Sequence, residues 1–449
     1  MCNNYTSNNL NFQENEIKYD KYEIVVMNGV KTIIVYASLS EESNEIVCPN
    51  CGSVSIYKKS FYYRTIKHTP IFNLRTIVKF KQRRFQCRDC KKTFNEQNNF
   101  VQKYCKISNS VKLSILNECR KKQSFSDIGD RLNISTSSVE REFDKYIAVE
   151  RKTLSNVICI DEFKASTEYG KYSLIIGNPV NGEIIDILPK RTQDYIMYYL
   201  NKIKPDERLN VKYYITDLFE SYRTIHRMYF PKSIHIADRF HWIKLATNAF
   251  NNTRISEMNF LKKQAYLELD YERKTELQDM YSVIKSNYRL LLANRFKKEA
   301  SFFDIQMNTT VDGRKNPTIQ EILEYILNND ETIKEAYDLL QSLYKISIQS
   351  TYENFNRDIE EWFKDINKSK NKNFKSVMNT YKAWKIEIRN SFIINPITLT
   401  RLTNGFIEGK NNYCKVVKRI GFGIKKFDVL RNRILYENNK ELTITTKDK

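Results

Sequence analysis

The stretch VICIDEFKAS, residues 157–166, runs four apolar residues straight into two carboxylates, Asp161 and Glu162. A short apolar run of this kind fits a buried strand, and a strand ending on acids calls for a reason. Downstream, YSLIIGNPVNGEIIDIL (172–188) sets two apolar runs around a Pro and an Asn-Gly, a hairpin signal. RTQDYIMYYLNKI (191–203) has helical spacing. VKYYITD (211–217) is a second strand ending on a carboxylate, Asp217, and SIHIAD (233–238) a third ending on Asp238.

Strand, hairpin, helix, strand, helix, strand is the order of a mixed sheet with parallel neighbours, as in ribonuclease-H-like folds. Sites in such sheets lie at the carboxyl ends of the strands, so Asp161 and Asp217 are expected to meet at one edge. Carboxylates brought together in a wet cleft repel, and a hard cation such as Mg²⁺ or Mn²⁺ relieves that repulsion. Paired cations in turn serve phosphodiester chemistry. The plainer alternative is that each aspartate caps a loop or helix. Asp238, three residues before His241, is expected to cap the helix that follows or to orient that histidine.

Residues 243–395 read as a charged helical insertion. After Pro396 comes TNGFIEGKNNYCKVVKRIGFG (403–423), where Glu408, Asn412, Lys415 and Arg419 share one helical face and Val416, Val417 and Ile420 another. Gly421 and Gly423 are expected to end that helix. A lone Glu among lysines is ordinarily a solvated ion pair, but eight Lys or Arg against one acid, Asp428, between Lys410 and Arg433 make a surface suited to phosphates.

Upstream, CPNC (Cys48, Cys51) and CRDC (Cys87, Cys90) stand 35 residues apart. Two such pairs complete a tetrahedral zinc site, and the β-rich sequence between them predicts a short antiparallel zinc ribbon. Cys2, Cys105, Cys119, Cys159 and Cys414 lack such partners and read as single cysteines. Twelve Lys or Arg and one acid, Asp89, between Tyr57 and Lys92 suggest that the ribbon, Arg83 and Arg84 included, touches phosphates. In residues 105–150 the period changes to helical. Ser110, Ser124 and Ser135 stand at candidate N-caps, and three short helices resemble a helix-turn-helix presenting Thr136, Ser137, Glu140 and Arg141 to a major groove. A plain helical connector is the alternative.

At 449 residues and 41% hydrophobic content the chain is long enough for several cores, and its net charge of +21 points to a polyanion, nucleic acid first. A lysine-rich coding bias is the bland alternative, which the clustering of the charge disfavours. No signal peptide or membrane-length apolar run is legible, so a cytoplasmic chain with reduced cysteines is expected, nucleoid-associated when bound to DNA.

CPNC to CRDC, the helix-turn-helix, IDEF, TDLFESY, ADRFH and NGFIEGKNN…KRIGFG together resemble the DDE transposases of bacterial insertion sequences, the ISL-three-like family, from about Cys48 to Arg433. The resemblance implies a catalytic triad of Asp161, Asp217 and Glu408 binding Mg²⁺ or Mn²⁺, with Asp238 and His241 in support and structural zinc in the ribbon. It further implies double-stranded DNA as partner, terminal inverted repeats and target alike, and a homodimer or higher oligomer on DNA. The expected organisation is an N-terminal segment, partly β (1–45), zinc ribbon (46–100), helix-turn-helix (105–150), a multidomain α+β chain's ribonuclease-H-like catalytic domain (155–242 and 396–435) interrupted by the helical insertion (243–395), and a tail (436–449). A DNA-binding regulator or domesticated relic using only residues 46–150, or a metal-dependent nuclease without strand transfer, are the competing readings. No serine or tyrosine stands in a recognisable nucleophile setting.

Overall fold

A computed structural model of the chain describes residues 17–40, 46–396, 398–421 and 424–438. Cys2 and Gly423, as well as most of the tail, lie outside these residues.

The N-terminal sheet holds β1 (Ile17–Met27), β2 (Val30–Leu39), β3 (Ile56–Ile71), β4 (Leu74–Cys87) and β5 (Thr93–Asn95). Its order is β1-β2-β4-β3 with β5 on β4, and β2 runs parallel to β4. The β1–β2 turn is Asn28-Gly29, both at positive φ, the type I′ geometry that matches strand twist. Between the cysteine pairs β3 and β4 pair antiparallel, as expected of the ribbon; β2, from before the first pair, joins β4 in parallel and makes the whole sheet mixed. The cause is apolar alternation. Ile33, Val35, Ala37 and Leu39 on β2 bury one face together with Val78 and Phe80 on β4, under Phe100 and Val101.

Three helices follow, α1 (Asn109–Glu118), α2 (Phe125–Leu132) and α3 (Thr136–Tyr146). Ser124 and Ser135 cap α2 and α3 as expected, Ser124 in a reciprocal capping box with Asp127. The cap of α1 is Ser108, not Ser110, which lies inside the helix. Ser108 wins because its hydroxyl also meets His68 Nδ1 at 2.9 Å, an anchor on β3 invisible to local pattern. Between α2 and α3, Asn133 takes the left-handed conformation, and a Cβ on Gly129 would stand 2.8 Å from the Ile134 carbonyl oxygen. Only glycine permits that close turn.

The second sheet contains β6 (Val157–Thr167), β7 (Gly170–Asn178) and β8 (Glu183–Leu188), then, after α4 (Gln193–Asn201) and α5 (Pro205–Leu209), β9 (Tyr213–Thr216), and, after α6 (Glu220–Tyr229), β10 (Ile234–Ala237). The order is β10-β9-β6-β7-β8. β6, β9 and β10 are parallel, and β7 and β8 are antiparallel additions. The strand carrying Asp217 is therefore next to that carrying Asp161, and Asp238 follows one strand further out. β6 does not end on its carboxylates. Pairing with β9 stops at Cys159–Ile215, while pairing with the longer β7 carries β6 on to Thr167.

One face of this sheet packs Ile158, Ile160 and Tyr214 against α4 and α6 through Ile196, Leu200, Tyr222 and Ile225. The other packs Cys159, Ile215 and Ile236 into a core shared with α1–α3 and with two C-terminal helices.

Between them lie α7 (Arg239–Leu267), α8 (Tyr271–Ser286), α9 (Tyr288–Leu291), α10 (Ala300–Phe303), the short hairpin of β11 (Thr310–Val311) and β12 (Arg314–Lys315), α11 (Ile319–Asn329), α12 (Glu331–Gln349), α13 (Phe355–Lys368), α14 (Lys372–Ala383) and α15 (Lys385–Asn390). They have a core of their own around Trp242, Phe250, Leu340, Trp362 and Tyr381. The boundary expected at residues 242–243 falls inside α7, which leaves β10 and runs unbroken into the insertion. Arg223 on α6 grips Glu387 on α15 through two hydrogen bonds, of 2.8 and 3.1 Å, and so ties the insertion back to the sheet. The chain then returns through α16 (Gly405–Ile420) and α17 (Phe427–Asn438). On α17, Arg433 donates to the carbonyl oxygens of Lys121 and Gln123 and stacks on Phe125, so the three-helix unit is held against the sheet rather than strung beside it.

Candidate metal centre and nucleic-acid surface

Register places the acids. Cys159 and Ile215 are parallel partners; Asp161 stands two residues further along β6, and Asp217 two residues on, just past the end of β9. Side chains two apart share a face, so both carboxylates project from the face covered by α16. Ile236 is paired with Ile215, and Asp238, two further on, occupies the same level of the third strand. Glu162, one residue off, points the other way. It is ion-paired with Arg191 and accepts a hydrogen bond from Tyr222 Oη at 2.9 Å, so the two neighbouring acids of the sequence serve different faces.

Asp161, Asp217 and His241 bring ligand atoms within 4.8 Å of one another. His241, in the first turn of α7, sets Nδ1 3.0 Å from Asp217 Oδ2, while its Nε2 is 3.9 Å from Asp238 Oδ2. Burial, together with the charge of Asp217, pushes the Asp161 carboxyl up to about 6. Burial opposes the His241 imidazolium, yet the hydrogen bond and charge of Asp217 outweigh it and raise the pKa. Among the described residues Asp217 Oδ1 is buried with no hydrogen-bond partner. Two crowded carboxylates, one oxygen of which lacks any donor, fit a divalent cation.

Asp238 is 4% exposed and makes no side-chain cap on its own helix. Its Oδ1 accepts the backbone N–H of Asn404, at the start of α16, at 3.0 Å. Asp238 thus stands at the N-cap position of α7 and also serves a helix far along the chain, because α16 lies across this edge of the sheet and its first amides need acceptors.

Glu408 stands exposed in the first turn of α16, outside the cluster of Asp161, Asp217 and His241. The residue of α16 that touches the centre is Asn411, one turn later, whose Nδ2 donates to Asp161 Oδ2 at 2.8 Å. Sequence reasoning missed it. Its three-residue offset from Glu408 was the available signal, since such pairs share a helical face.

The four cysteines close on one another. Cys48 and Cys90 sulfurs are 3.6 Å apart, as are those of Cys51 and Cys87. Zinc–sulfur bonds of about 2.3 Å in a tetrahedron put sulfurs about 3.8 Å apart, so the knuckles fit one zinc ion. Backbone N–H groups of Cys90 and Asp89 face the Cys87 sulfur and lower its pKa to about 7, favouring the thiolate a metal needs.

The expected DNA contacts divide. Thr136, Ser137 and Arg141 on α3 are exposed, as are Arg84 on β4 and Asn412, Lys415 and Arg419 on α16. Glu140 is half-buried: with Thr136 it lines a cleft whose other wall is Gly421, Ile424, Lys425 and Lys426. Arg83 is committed elsewhere. It pairs with the buried Glu96 at 2.5 Å and serves the fold of the ribbon. Among the described residues no helix is long and apolar enough to cross a membrane.

Two family models match. The transposase model of the DDE, ISL3 type covers residues 158–434, and the model described as the zinc-finger of the IS204/IS1001/IS1096/IS1165 transposases covers residues 44–90. The transposase for insertion sequence element IS1001 of Bordetella parapertussis is 18% identical over 426 residues, spanning 91% of this chain and 93% of that protein. With the first match covering more than half of its length, this chain belongs to the ISL3 family of insertion-sequence transposases.

Proposed function

We propose that the protein binds the terminal inverted repeats of its element, cuts DNA at their ends and joins the freed ends to target DNA. The observation that carries this reading is the meeting of Asp161 and Asp217, just beyond the last paired residues of two adjacent parallel strands, beside a basic helix. The strand order β10-β9-β6-β7-β8 supports a ribonuclease-H-like catalytic sheet, and the caps and tight turn of α2 and α3 support a helix-turn-helix.

Asp161 and Asp217 are the first two carboxylates of the triad, and Glu408 on α16 is the third. These carboxylates would hold a divalent cation, Mg²⁺ or Mn²⁺, whose chemistry there would be to activate an oxygen nucleophile and stabilise the leaving oxygen at the scissile phosphate. His241 holds Asp217 in orientation through its 3.0 Å contact. Asp238 holds the start of α16, and with it the helix that carries Glu408. The exposed Asn412, Lys415 and Arg419 continue along the same helix and hold phosphates of the bound strand, while Thr136, Ser137 and Arg141 face the repeat. Water attacks first and frees a 3′ hydroxyl; that hydroxyl then attacks the target strand. No covalent protein intermediate is needed.

The test is to incubate the purified protein with Mn²⁺ and labelled DNA carrying the element's own ends, alongside Asp161→Asn. Cation-dependent nicks at the ends, followed by joined products, are expected from the wild type only. Nicking without joining would reduce the function to that of a nuclease. Specific binding without nicking would leave a DNA-binding regulator.

A further inference from the structure

Asn411 is 6% exposed and its amide orientation is dictated by its neighbours. Nδ2 faces two acceptors, Asp161 Oδ2 at 2.8 Å and the Glu162 carbonyl oxygen at 3.3 Å. Turning the amide over would set oxygen against two oxygens. Oδ1 is therefore left without those partners, and among the described residues it is buried with no donor. An acceptor in that condition loses its hydration without compensation, which native proteins rarely tolerate unless a water or ion completes it.

The neighbourhood repeats the pattern. Asp217 Oδ1 and Asn404 Oδ1 are likewise buried without partners, and the backbone of Asn404 is bound to Asp238 beside Asp217. Among the described residues these three orphan oxygens are all acceptors. What they lack is a donor or a positive charge.

We infer that Asn411 is part of the cation centre in two ways: its amide nitrogen fixes Asp161, and its amide oxygen accepts a hydrogen bond from a water in the cation's shell. This deepens the proposed function and rests on its assignment of Asp161 and Asp217 as ligands. Mg²⁺ and cations like it retain several waters when bound by one or two carboxylates, and each such water brings donors. An amide in contact with a ligating carboxylate is placed both to orient it and to hold the hydrated side of the ion. Asn411 is thus a positioning residue that joins α16 to the centre.

The test uses the full chain without DNA and reads Mn²⁺ affinity by calorimetry, so that turnover plays no part. Asn411→Leu, close in volume but without polar atoms, is expected to weaken Mn²⁺ binding by about 10 to 100-fold. The melting temperature of the cation-free protein should fall, since Asp161 Oδ2 and the Glu162 carbonyl lose the Nδ2 donor, an effect only partly offset by removal of the orphan Oδ1. Asn411→Ala, which leaves room for water, is the companion should leucine disturb folding; its Mn²⁺-induced rise in melting temperature should shrink. Unchanged Mn²⁺ affinity in these variants would overturn the inference, as would a loss of cation-free stability with affinity intact, which marks a purely structural amide. Asp161→Asn is the reference. If it too binds Mn²⁺ like the wild type, the assignment of the centre itself fails; if it alone loses binding, only the role of Asn411 does.

Discussion

Asp238 Oδ1 accepts the backbone N–H of Asn404 at 3.0 Å across 166 positions of sequence. The first of these residues immediately precedes α7 and the second immediately precedes α16, so one hydrogen bond closes the base of the helical insertion. The same contact anchors the start of α16, the helix that carries Asn411 and Glu408. An aspartate at the level of Asp217 thus holds the start of a helix far along the chain.

Asp238 and Asp217 should separate on mutation. Losing a hydrogen bond to a buried charged acceptor costs about 1.5–3 kcal/mol, so Asp238→Ala should lower unfolding stability by about that amount in urea titrations. Asp238→Asn keeps an acceptor oxygen, should lose less, and should retain weak cleavage that added Mn²⁺ restores. Asp217→Asn should show no cleavage at any Mn²⁺ concentration while still binding end DNA. Finding the rescued variant at position 217 and the dead one at 238 would exchange their roles.

Cation affinity should climb with pH. The Asp161 carboxyl is held at about 6 in the folded chain, chiefly by burial, against about 3.9 for an unstructured aspartate. In the cation-free protein this group therefore contributes stability that is fully present below about pH 3.9 and is lost as pH rises through about 6. The raised pKa of His241 has the same sign: its contribution is present below about pH 6.5 and lost as pH rises through its folded value. Cation binding needs the carboxylate, so Mn²⁺ affinity should fall roughly tenfold per unit below about pH 6 and level off above it. Calorimetry at about pH 5 and about pH 7.5 decides; equal affinities would remove Asp161 from the ligand set.

Metal analysis should find zinc bound to the cysteine cluster. Cys87→Ser leaves three thiolates around the ion and should release it and unfold the N-terminal sheet. The second sheet keeps its own cores and should persist, with its melting transition retained. A wild-type preparation free of zinc, yet with an intact N-terminal sheet, would refute this.

DNA affinity should depend steeply on salt. Neutralising on the order of six phosphates gives a slope of about −5 for log K against log salt. Arg84→Ala should weaken binding to all sequences without loss of stability, because Arg84 is exposed. Arg83→Ala should do the reverse, since it strands the buried Glu96 carboxylate. Arg141→Ala should weaken one sequence preferentially if it reads a base, and all alike if it holds a phosphate. A salt-insensitive affinity would argue against these basic residues as the interface.

Local pattern carried much of this architecture. The apolar run of VICI, the Asn-Gly of 181–182, the two cysteine pairs and the serines at 124 and 135 act over a few residues, and strand pairing, knuckles and caps follow from that short range. The order of strands was also legible, because crossover helices between apolar runs leave few ways to build a parallel sheet. Position in the tertiary structure decided the rest. Only the return of α16 over β6 puts Asn411 on Asp161 and leaves Glu408 outside the cluster, only the closing of the insertion gives Asp238 to Asn404, and only the fold of the ribbon turns Arg83 toward Glu96. Periodicity tells a side chain which face it shares. Which donor or charge waits on that face depends on residues up to hundreds of positions away, and burial makes that distant partner decisive by removing the water that would otherwise serve in its place.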